Sequence, residues 1–178
     1  MSFLSTLRSS ARTLVRSMQG GRGTPGPASR APSPAVIFSP GREGPSATVE
    51  VDPRRIGPVR LSYNPVTDGD PDPGEIVWTW VPFEENDGRG KDRPVLVVAA
   101  ERSGACLAVQ LTSKSHARDV EFVPIGSGRW DSAGRPSWVN LDRVFRVSLD
   151  GMRREACALD ATPYQRVEAR LRERYGWG

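Results

Sequence analysis

The chain has 178 residues, 37% of them hydrophobic, with 18 glycines, 16 prolines and a formal net charge of +4. This length accommodates one domain of ordinary size and additional segments, and the low apolar content predicts that part of the chain is not packed. Two cysteines are too few for a disulfide scaffold, one histidine argues against an all-protein zinc site, and no apolar stretch reaches the ~20 residues of a membrane-spanning helix.

Charge is distributed unevenly along the sequence. Residues 1–42 contain six arginines and no acidic residue, residues 43–73 contain three arginines and six acidic residues, and the remainder is close to neutral. The basic character of the chain therefore comes mostly from its first segment and says little about the partners of the folded part.

Residues 1–19 have the pattern of a short basic amphipathic helix. At about 100° per residue, apolar side chains share one arc and arginines at spacing four lie beside it. The apolar set is Leu4, Leu7, Ala11, Leu14, Val15 and Met18, and the basic set is Arg8, Arg12 and Arg16. We expect membrane-surface or partner contact through residues 3–18, with a nascent helix in a disordered tail as the alternative. The secretory pattern is absent, although a transit peptide has a similar composition, and the expected location is cytoplasmic.

Residues 20–73 are predicted to form a Pro/Gly-rich disordered linker. Eleven of the 16 prolines precede Gly74, and such a density is incompatible with helix or central strand. Two short apolar islands, at 35–38 and 48–51, interrupt the segment. They are candidates for packing onto the following domain or a partner, because alone they bury too little surface to become ordered.

From Gly74 the apolar pattern switches to a period of two, which is typical of strands. The predicted strands are 74–83, 95–100, 107–111, 120–125 and 137–147. A helix follows, predicted to begin at Thr162 with a capping box completed by Gln165 and to end at Gly176. Its apolar stripe is Tyr164, Val167, Leu171 and Tyr175. The prediction is a mainly β (α+β) fold over residues 74–178: an SH3-like small barrel with a C-terminal helix, preceded by a largely disordered N-terminal tail.

Three short motifs occur in order within this segment. They are Gly74-Glu75 with Trp78, then Arg93-Pro94, then Thr112-Ser113. This layout resembles the MazF/PemK family of small barrel toxins from type II toxin–antitoxin modules. The resemblance implies an endoribonuclease that cleaves single-stranded RNA without metal or another cofactor. It also implies a homodimer restrained by an antitoxin protein.

The candidate catalytic residues are Arg93, Thr112 and Asp142. Pro94 restricts Arg93 to extended conformations, and a guanidinium offers a planar fork to a phosphate. An ion pair of Arg93 with Asp92 or Asp142 is the structural alternative. In the family the matching arginine and threonine are tied to cleavage. Some members also carry an Asp-Gln pair preceded two positions earlier by an arginine; here Asp142 matches, while Asn140 and Arg143 replace the arginine and the glutamine.

The candidate RNA-binding residues are Ser113, Lys114, Asn140 and Trp130. The first two add a hydroxyl and a cation beside Thr112, and Trp130 is expected to contact RNA from a flexible loop. Trp78 or Trp80 is assigned to the core, and His116 is expected to be a solvated loop residue. Asn140 brings no charge, and the first loop, 84–90, lacks the histidine that some family members carry there. The alternative function is therefore a catalytically weak or inactive barrel that binds RNA, DNA or a partner protein.

Overall fold

The structure, a computed structural model, describes residues 39–66, 68 and 70–178. The described residues belong to one compact unit, Ile37–Gly178. The elements are β1 Val49–Val51, β2 Glu75–Pro82, β3 Gly90–Ala100, β4 Cys106–Thr112, β5 Phe122–Gly126, β6 Ser137–Val147, β7 Met152–Ala158 and α1 Ala161–Tyr175. The predicted mainly β fold with a C-terminal helix is confirmed. The helix predicted for residues 1–19 lies outside the described residues.

The seven strands form one antiparallel sheet. Its order is β1-β6-β4-β3-β2-β7, and β5 pairs with β6 beside this path. The register shifts within four of the six pairings, for example between Val109 and Leu111 of β4 against β6. Such irregularities bend strands and increase twist, which curls the sheet into a barrel-like form.

Alternate residues of the central strands enter two different apolar clusters, as expected for strands covered on both faces. Leu96 and Val98 of β3 pack in the cluster that includes α1, whereas Val95 and Val97 pack in the second cluster. The helix contributes Tyr164, Val167 and Leu171 to the first cluster, which agrees with the predicted stripe.

Much of the described part of the predicted linker packs on the barrel: the apolar island at 48–51 does so as one of the two alternatives for it, whereas the expected disorder around it is not found in residues 39–66. β1 pairs with β6 through Val49 opposite Arg146 and Val51 opposite Val144. Val59 and Leu61 are buried in the larger apolar cluster. Within residues 39–66 the Pro/Gly content therefore accompanies irregular but packed backbone: the sheet supplies the apolar surface and the strand edge that a short segment lacks by itself.

The helix begins earlier than its predicted cap. The residue before its first turn is Asp160, which makes no side-chain capping bond, and the N–H of Tyr164 donates to the Asp160 carbonyl at 3.1 Å. Thr162 and Pro163 consequently lie inside the first turn, so the predicted capping box is wrong. The predicted end is correct: Gly176 adopts a left-handed conformation with φ of 69° and its N–H donates to the Arg172 carbonyl.

Candidate active site

A cleft of about 580 Å³ opens where β3 and β4 diverge. Its walls include the start of β3, the end of β4 with the loop that follows, and the first half of β6. The antiparallel register, which sets Val95 opposite Gln110, brings Arg93 and Thr112 to the same end of the strand pair. Loop-facing strand ends of this kind position side chains rigidly while leaving them accessible to a ligand.

Arg93 is half-buried in this cleft and has no carboxylate partner among the described residues. The two acids that could have neutralised it pair elsewhere: Asp92 with Arg153 at 3.6 Å, and Asp142 with Arg174. Burial and, secondarily, the nearby charge of Arg143 lower the pKa of Arg93 from its usual value. A guanidinium normally titrates so far above neutrality that it still carries its charge, and its donors are available to an anion.

Thr112 ends β4 and shapes the turn beside it. Its hydroxyl oxygen accepts the N–H of Lys114 at 3.1 Å, which forms a side-chain-to-backbone turn. The hydroxyl proton is still available for donation into the cleft. Ser113 and Lys114 are exposed on the same wall, so these three sequence-predicted residues lie together with Arg93.

A bulge in β6 separates Asn140 from Asp142. Four residues of β6 lie between the partners of Val109 and Leu111, where β4 has only Gln110. The side-chain oxygen of Asn140 accepts the Asp142 N–H at 2.9 Å, which holds the bulge closed. Asn140 lines the cleft as predicted, with 9% of its surface exposed.

Asp142 does not join the candidate catalytic group. Its carboxylate pairs with Arg174 of α1 and lines a separate, smaller concavity together with Asp52, Arg54 and Tyr175. Uniform strand alternation would have placed Asn140 and Asp142 on one face, but the bulge turns them apart. The prediction of Asp142 as a cleft residue is therefore corrected.

The tryptophans are distributed differently from the prediction. Trp130 is only 7% exposed and belongs to the apolar core, and its indole N–H donates to the Ser137 hydroxyl at 3.1 Å. It forms part of the cleft wall but offers little ring surface, which corrects its assignment as an RNA contact on a flexible loop. Trp78 is half-buried on the cleft wall with Arg153 over its ring at 5.5 Å, and Trp80 is also only half-buried.

Sequence reasoning missed a buried cation behind the cleft. Arg143 donates to both carboxylate oxygens of Glu50 at 2.9 and 2.6 Å, to the side-chain oxygen of Gln110 at 3.3 Å and to the Pro82 carbonyl at 2.8 Å. Its side chain is 9% exposed. The network joins β1, β2, β4 and β6, and Gln110 itself lines the cleft. An arginine within an apolar strand pattern was the available signal, but its carboxylate partner is 93 residues away.

His116 lies in the exposed loop between β4 and β5, as predicted, but its side chain is partly buried and lines the same cleft. Its ring stacks on Phe122 with centroids 3.6 Å apart and planes within 7°. Its side chain is 21% exposed, and Nδ1 lies 3.5 Å from a carboxylate oxygen of Asp119. The sequence prediction overlooked Phe122, which provides the apolar surface that covers the imidazole.

Two negative findings concern the described residues alone. They bring together no group of three or more His, Cys, Asp or Glu side chains arranged to hold a metal ion. They also contain no helix with the length and apolar character needed to cross a membrane.

Comparisons with known proteins give a family and a related structure. The family model described as PemK-like, MazF-like toxin of type II toxin–antitoxin system matches residues 72–174. Solved structures that match include MazE-MazF (Form-II) from Deinococcus radiodurans, with 21% identity, a TM-score of 0.43, and coverage of 60% of this chain and 96% of that chain. The search of curated proteins found no match. Because the family model spans more than half of its residues, the chain belongs to the family of PemK-like, MazF-like toxins of type II toxin–antitoxin systems.

Proposed function

We propose that the chain is an endoribonuclease toxin that cleaves single-stranded RNA in the cleft between β3 and β4. The observation that carries the proposal is a half-buried arginine, Arg93, without a carboxylate partner among the described residues and beside the hydroxyl of Thr112. A cation in this state is suited to a phosphate, since planar guanidinium donors match two phosphate oxygens.

The cleft groups correspond to what phosphodiester cleavage requires. The 2′-oxygen attacks phosphorus, the P–O5′ bond breaks, and negative charge grows on the non-bridging oxygens. Arg93 donates to those oxygens, and Thr112 adds a hydroxyl donor. Asn140 uses its side-chain oxygen to accept the Asp142 N–H and still has its amide NH₂ to donate. Lys114 and Ser113, both exposed on the same wall, contact the neighbouring backbone of the RNA.

A second function, binding of nucleic acid or a partner protein by a catalytically weak barrel, is favoured by Asn140. This side chain is neutral, and Asp142 on the other side of the bulge faces away from the cleft. The described cleft thus lacks the charge that an arginine at position 140 would supply to the transition state.

The deciding experiment incubates purified full-length protein with a long single-stranded RNA and a DNA of the same sequence, in EDTA. We expect cleavage of the RNA alone, leaving 2′,3′-cyclic phosphate and 5′-hydroxyl ends, because the 2′-OH is the nucleophile. Sequencing of the new 5′ ends identifies the sites. If the RNA stays intact from pH 5 to pH 9 while it is still bound, the ribonuclease proposal is wrong and the binding function takes its place.

The assembly and location belong to the same proposal. Family membership supports an antitoxin protein as the restraining partner and a homodimer as the working form. The expected site of action is the cytoplasm, where messenger RNA is available. Size-exclusion chromatography with light scattering, on the chain alone and with the product of the adjacent reading frame, measures both associations.

A further inference from the structure

We propose that His116 is the general base of this cleft and takes the proton from the attacking 2′-hydroxyl of RNA. The inference rests on the proposed function and names the residue that performs its proton transfer. The loop that holds His116, residues 113–121, connects β4 to β5 and follows Thr112 directly. The first loop, residues 84–90, contains no histidine.

The loop fixes the imidazole on two sides. Its face lies flat on Phe122, and its Nδ1 lies 3.5 Å from a carboxylate oxygen of Asp119. A carboxylate at Nδ1 favours the tautomer with the proton on that nitrogen, which leaves the lone pair on Nε2.

Asp119 is itself held by backbone bonds. Its N–H donates to the His116 carbonyl at 3.0 Å, its carbonyl accepts the Phe122 N–H at 3.2 Å, and its second carboxylate oxygen accepts the Glu121 N–H at 3.0 Å. These bonds close two successive turns around the histidine. The pair of His116 and Asp119 is therefore set before any ligand arrives, as acid–base catalysis requires.

His116 lies among the other candidate groups of the cleft. His116 lines the cleft that also contains Arg93, Thr112 and Asn140, and its side chain is 21% exposed. The cleft walls carry three acids: Glu84 is exposed on the loop between β2 and β3, and the other two are less suited to the task. Asp131 is paired with Arg135 at 2.8 Å, and Asp92 faces Arg153 with its other carboxylate oxygen buried and without a hydrogen-bond partner.

The 2′-oxygen forms its bond to phosphorus while Nε2 of His116 takes the 2′-OH proton. The P–O5′ bond breaks with its electron pair on O5′, which takes a proton from water. The hydroxide that remains is neutralised by the imidazolium proton, so the histidine returns to its neutral form.

The test uses two variants of the full chain, His116→Ala and His116→Phe. The first opens space beside Phe122, whereas the second keeps an aromatic ring on Phe122 but has no nitrogen. We expect each to cut RNA at least about a hundredfold more slowly, as loss of a general base does. Affinity for an RNA with 2′-deoxy substitution at the cut site should be unchanged.

Two readouts separate catalysis from support of the loop. Free imidazole in the buffer should raise the rate of His116→Ala and leave His116→Phe unchanged, because only the first has room for it. The rise of the wild-type rate with pH should disappear in both variants. The other charged groups around His116 stay in place in both variants and control for indirect effects: Glu84, Lys91, Asp92, Arg93, Lys114 and the Asp131–Arg135 pair on the cleft walls, and Arg118 and Asp119 in its own loop.

The failures are distinguishable. Wild-type rates in both variants, with Arg93→Ala inactive, would overturn the role of His116 and leave the ribonuclease proposal standing. A slow His116→Ala that keeps the wild-type pH profile and ignores imidazole would make the residue structural, which also overturns the inference. A wild-type chain that leaves RNA intact would overturn both proposals.

Discussion

Arg93 and Arg143 carry neighbouring charges, but only Arg143 has a carboxylate partner among the described residues. Arg143 is bound to groups of other strands and holds them together, whereas Arg93 faces the cleft. A guanidinium and an ammonium differ at such a site, because only the guanidinium presents two parallel donors to a phosphate.

We predict that Arg93→Ala lowers the RNA cleavage rate by about a hundredfold or more, as loss of one transition-state donor does. Arg93→Lys should recover only part of this loss because it restores charge without the fork. Initial rates on a fluorescent single-stranded RNA measure both. Arg89→Ala, which removes an exposed arginine paired with Asp87, is the matched control. Equal rates for the lysine and wild-type chains would show that charge alone suffices.

Asp142→Asn should leave RNA cleavage unchanged. The carboxylate pairs with Arg174 outside the cleft and is 46% exposed, so its loss should cost under about 1 kcal/mol of unfolding free energy. Urea unfolding and cleavage rates test the two statements together. A large fall in rate without loss of stability would mean that Asp142 reaches the RNA after all.

Site residues were predictable where their position depends on short motifs. Arg93 before Pro94, and Thr112 with the two residues after it, keep their predicted neighbourhood because β3 and β4 pair in unbroken register at this end, from Val95 opposite Gln110 to Val97 opposite Ala108. Asp142 was misplaced because one bulge reverses strand alternation, and no residue type announces it. The exposure of Trp130 was misjudged because its hydrogen-bond partner, the Ser137 hydroxyl, lies seven residues further along the chain, at the start of β6.

At the scale of elements, the sequence marked β1 only as an apolar island at 48–51 that was a candidate for packing, and not as a strand. Three residues of β1 pair with β6, and Glu50 in its centre supplies the carboxylate for Arg143. Elements with strong periodicity, such as β2, β6 and α1, were found near their observed bounds. β1 is too short to show a period, and in β7 a charged Arg-Arg-Glu run follows Met152, so the local pattern predicted neither as a strand.

We predict that a chain starting at Asp72 is much less stable than one starting at Ser39. The shorter chain loses β1, the buried side chains of Val59 and Leu61, and the partner of Arg143. Burial of each aliphatic side chain is worth about 1.5–3 kcal/mol, so the unfolding midpoint should fall by more than ~10 °C. Differential scanning calorimetry compares the two. Midpoints within a few degrees of each other would restore the linker interpretation.

A point variant isolates the ionic part of that loss. Glu50→Ala should lower the free energy of unfolding by about 1–3 kcal/mol, because it leaves the mostly buried guanidinium of Arg143 without its carboxylate partner. Glu43→Ala, in the same segment but exposed, should have no such effect.

At the scale of the whole molecule, two buried acids make the fold sensitive to alkali. Burial raises the pKa of the Cys106 thiol to about 11, and burial likewise raises the pKa of Tyr164, whose hydroxyl donates to backbone carbonyls of Ser62 and Val98. Both groups are more easily ionised when the chain is unfolded. Their contribution to stability is complete below the unfolded pKa values and is lost as pH rises through the folded ones.

We therefore expect the urea midpoint to hold to about pH 9, the ordinary thiol value, and to fall towards pH 11. Cys106→Ala and Tyr164→Phe should each make the decrease of the urea midpoint above pH 9 smaller. Tyr164→Phe should also cost about 1 kcal/mol at neutral pH through its lost hydrogen bonds. Equal midpoints at pH 8 and pH 11 would contradict the prediction.

Residues 3–18 lie outside the described residues, and their interaction with anionic membranes remains a prediction. A peptide of residues 1–19 should gain helical circular dichroism with anionic vesicles and not with neutral ones, because Arg8, Arg12 and Arg16 flank one apolar arc. Replacement of the three arginines by glutamine is the control. No gain of helix would leave a partner protein or a disordered tail.

Strand β1 also determines how another protein chain can dock at the β6 side of this sheet, whose opposite end is β7. β6 already pairs with β4, β5 and β1, so an incoming strand finds its backbone groups taken and meets instead the three-residue rim of β1. A protein strand that displaces β1 removes Glu50 from Arg143. The guanidinium of Arg143, which is close to Arg93, then has no carboxylate partner. An incoming acidic segment would replace the carboxylate of Glu50 with one of its own, at little cost in binding free energy. A neutral or basic segment would leave the buried positive charge of Arg143 unpaired and would therefore bind poorly.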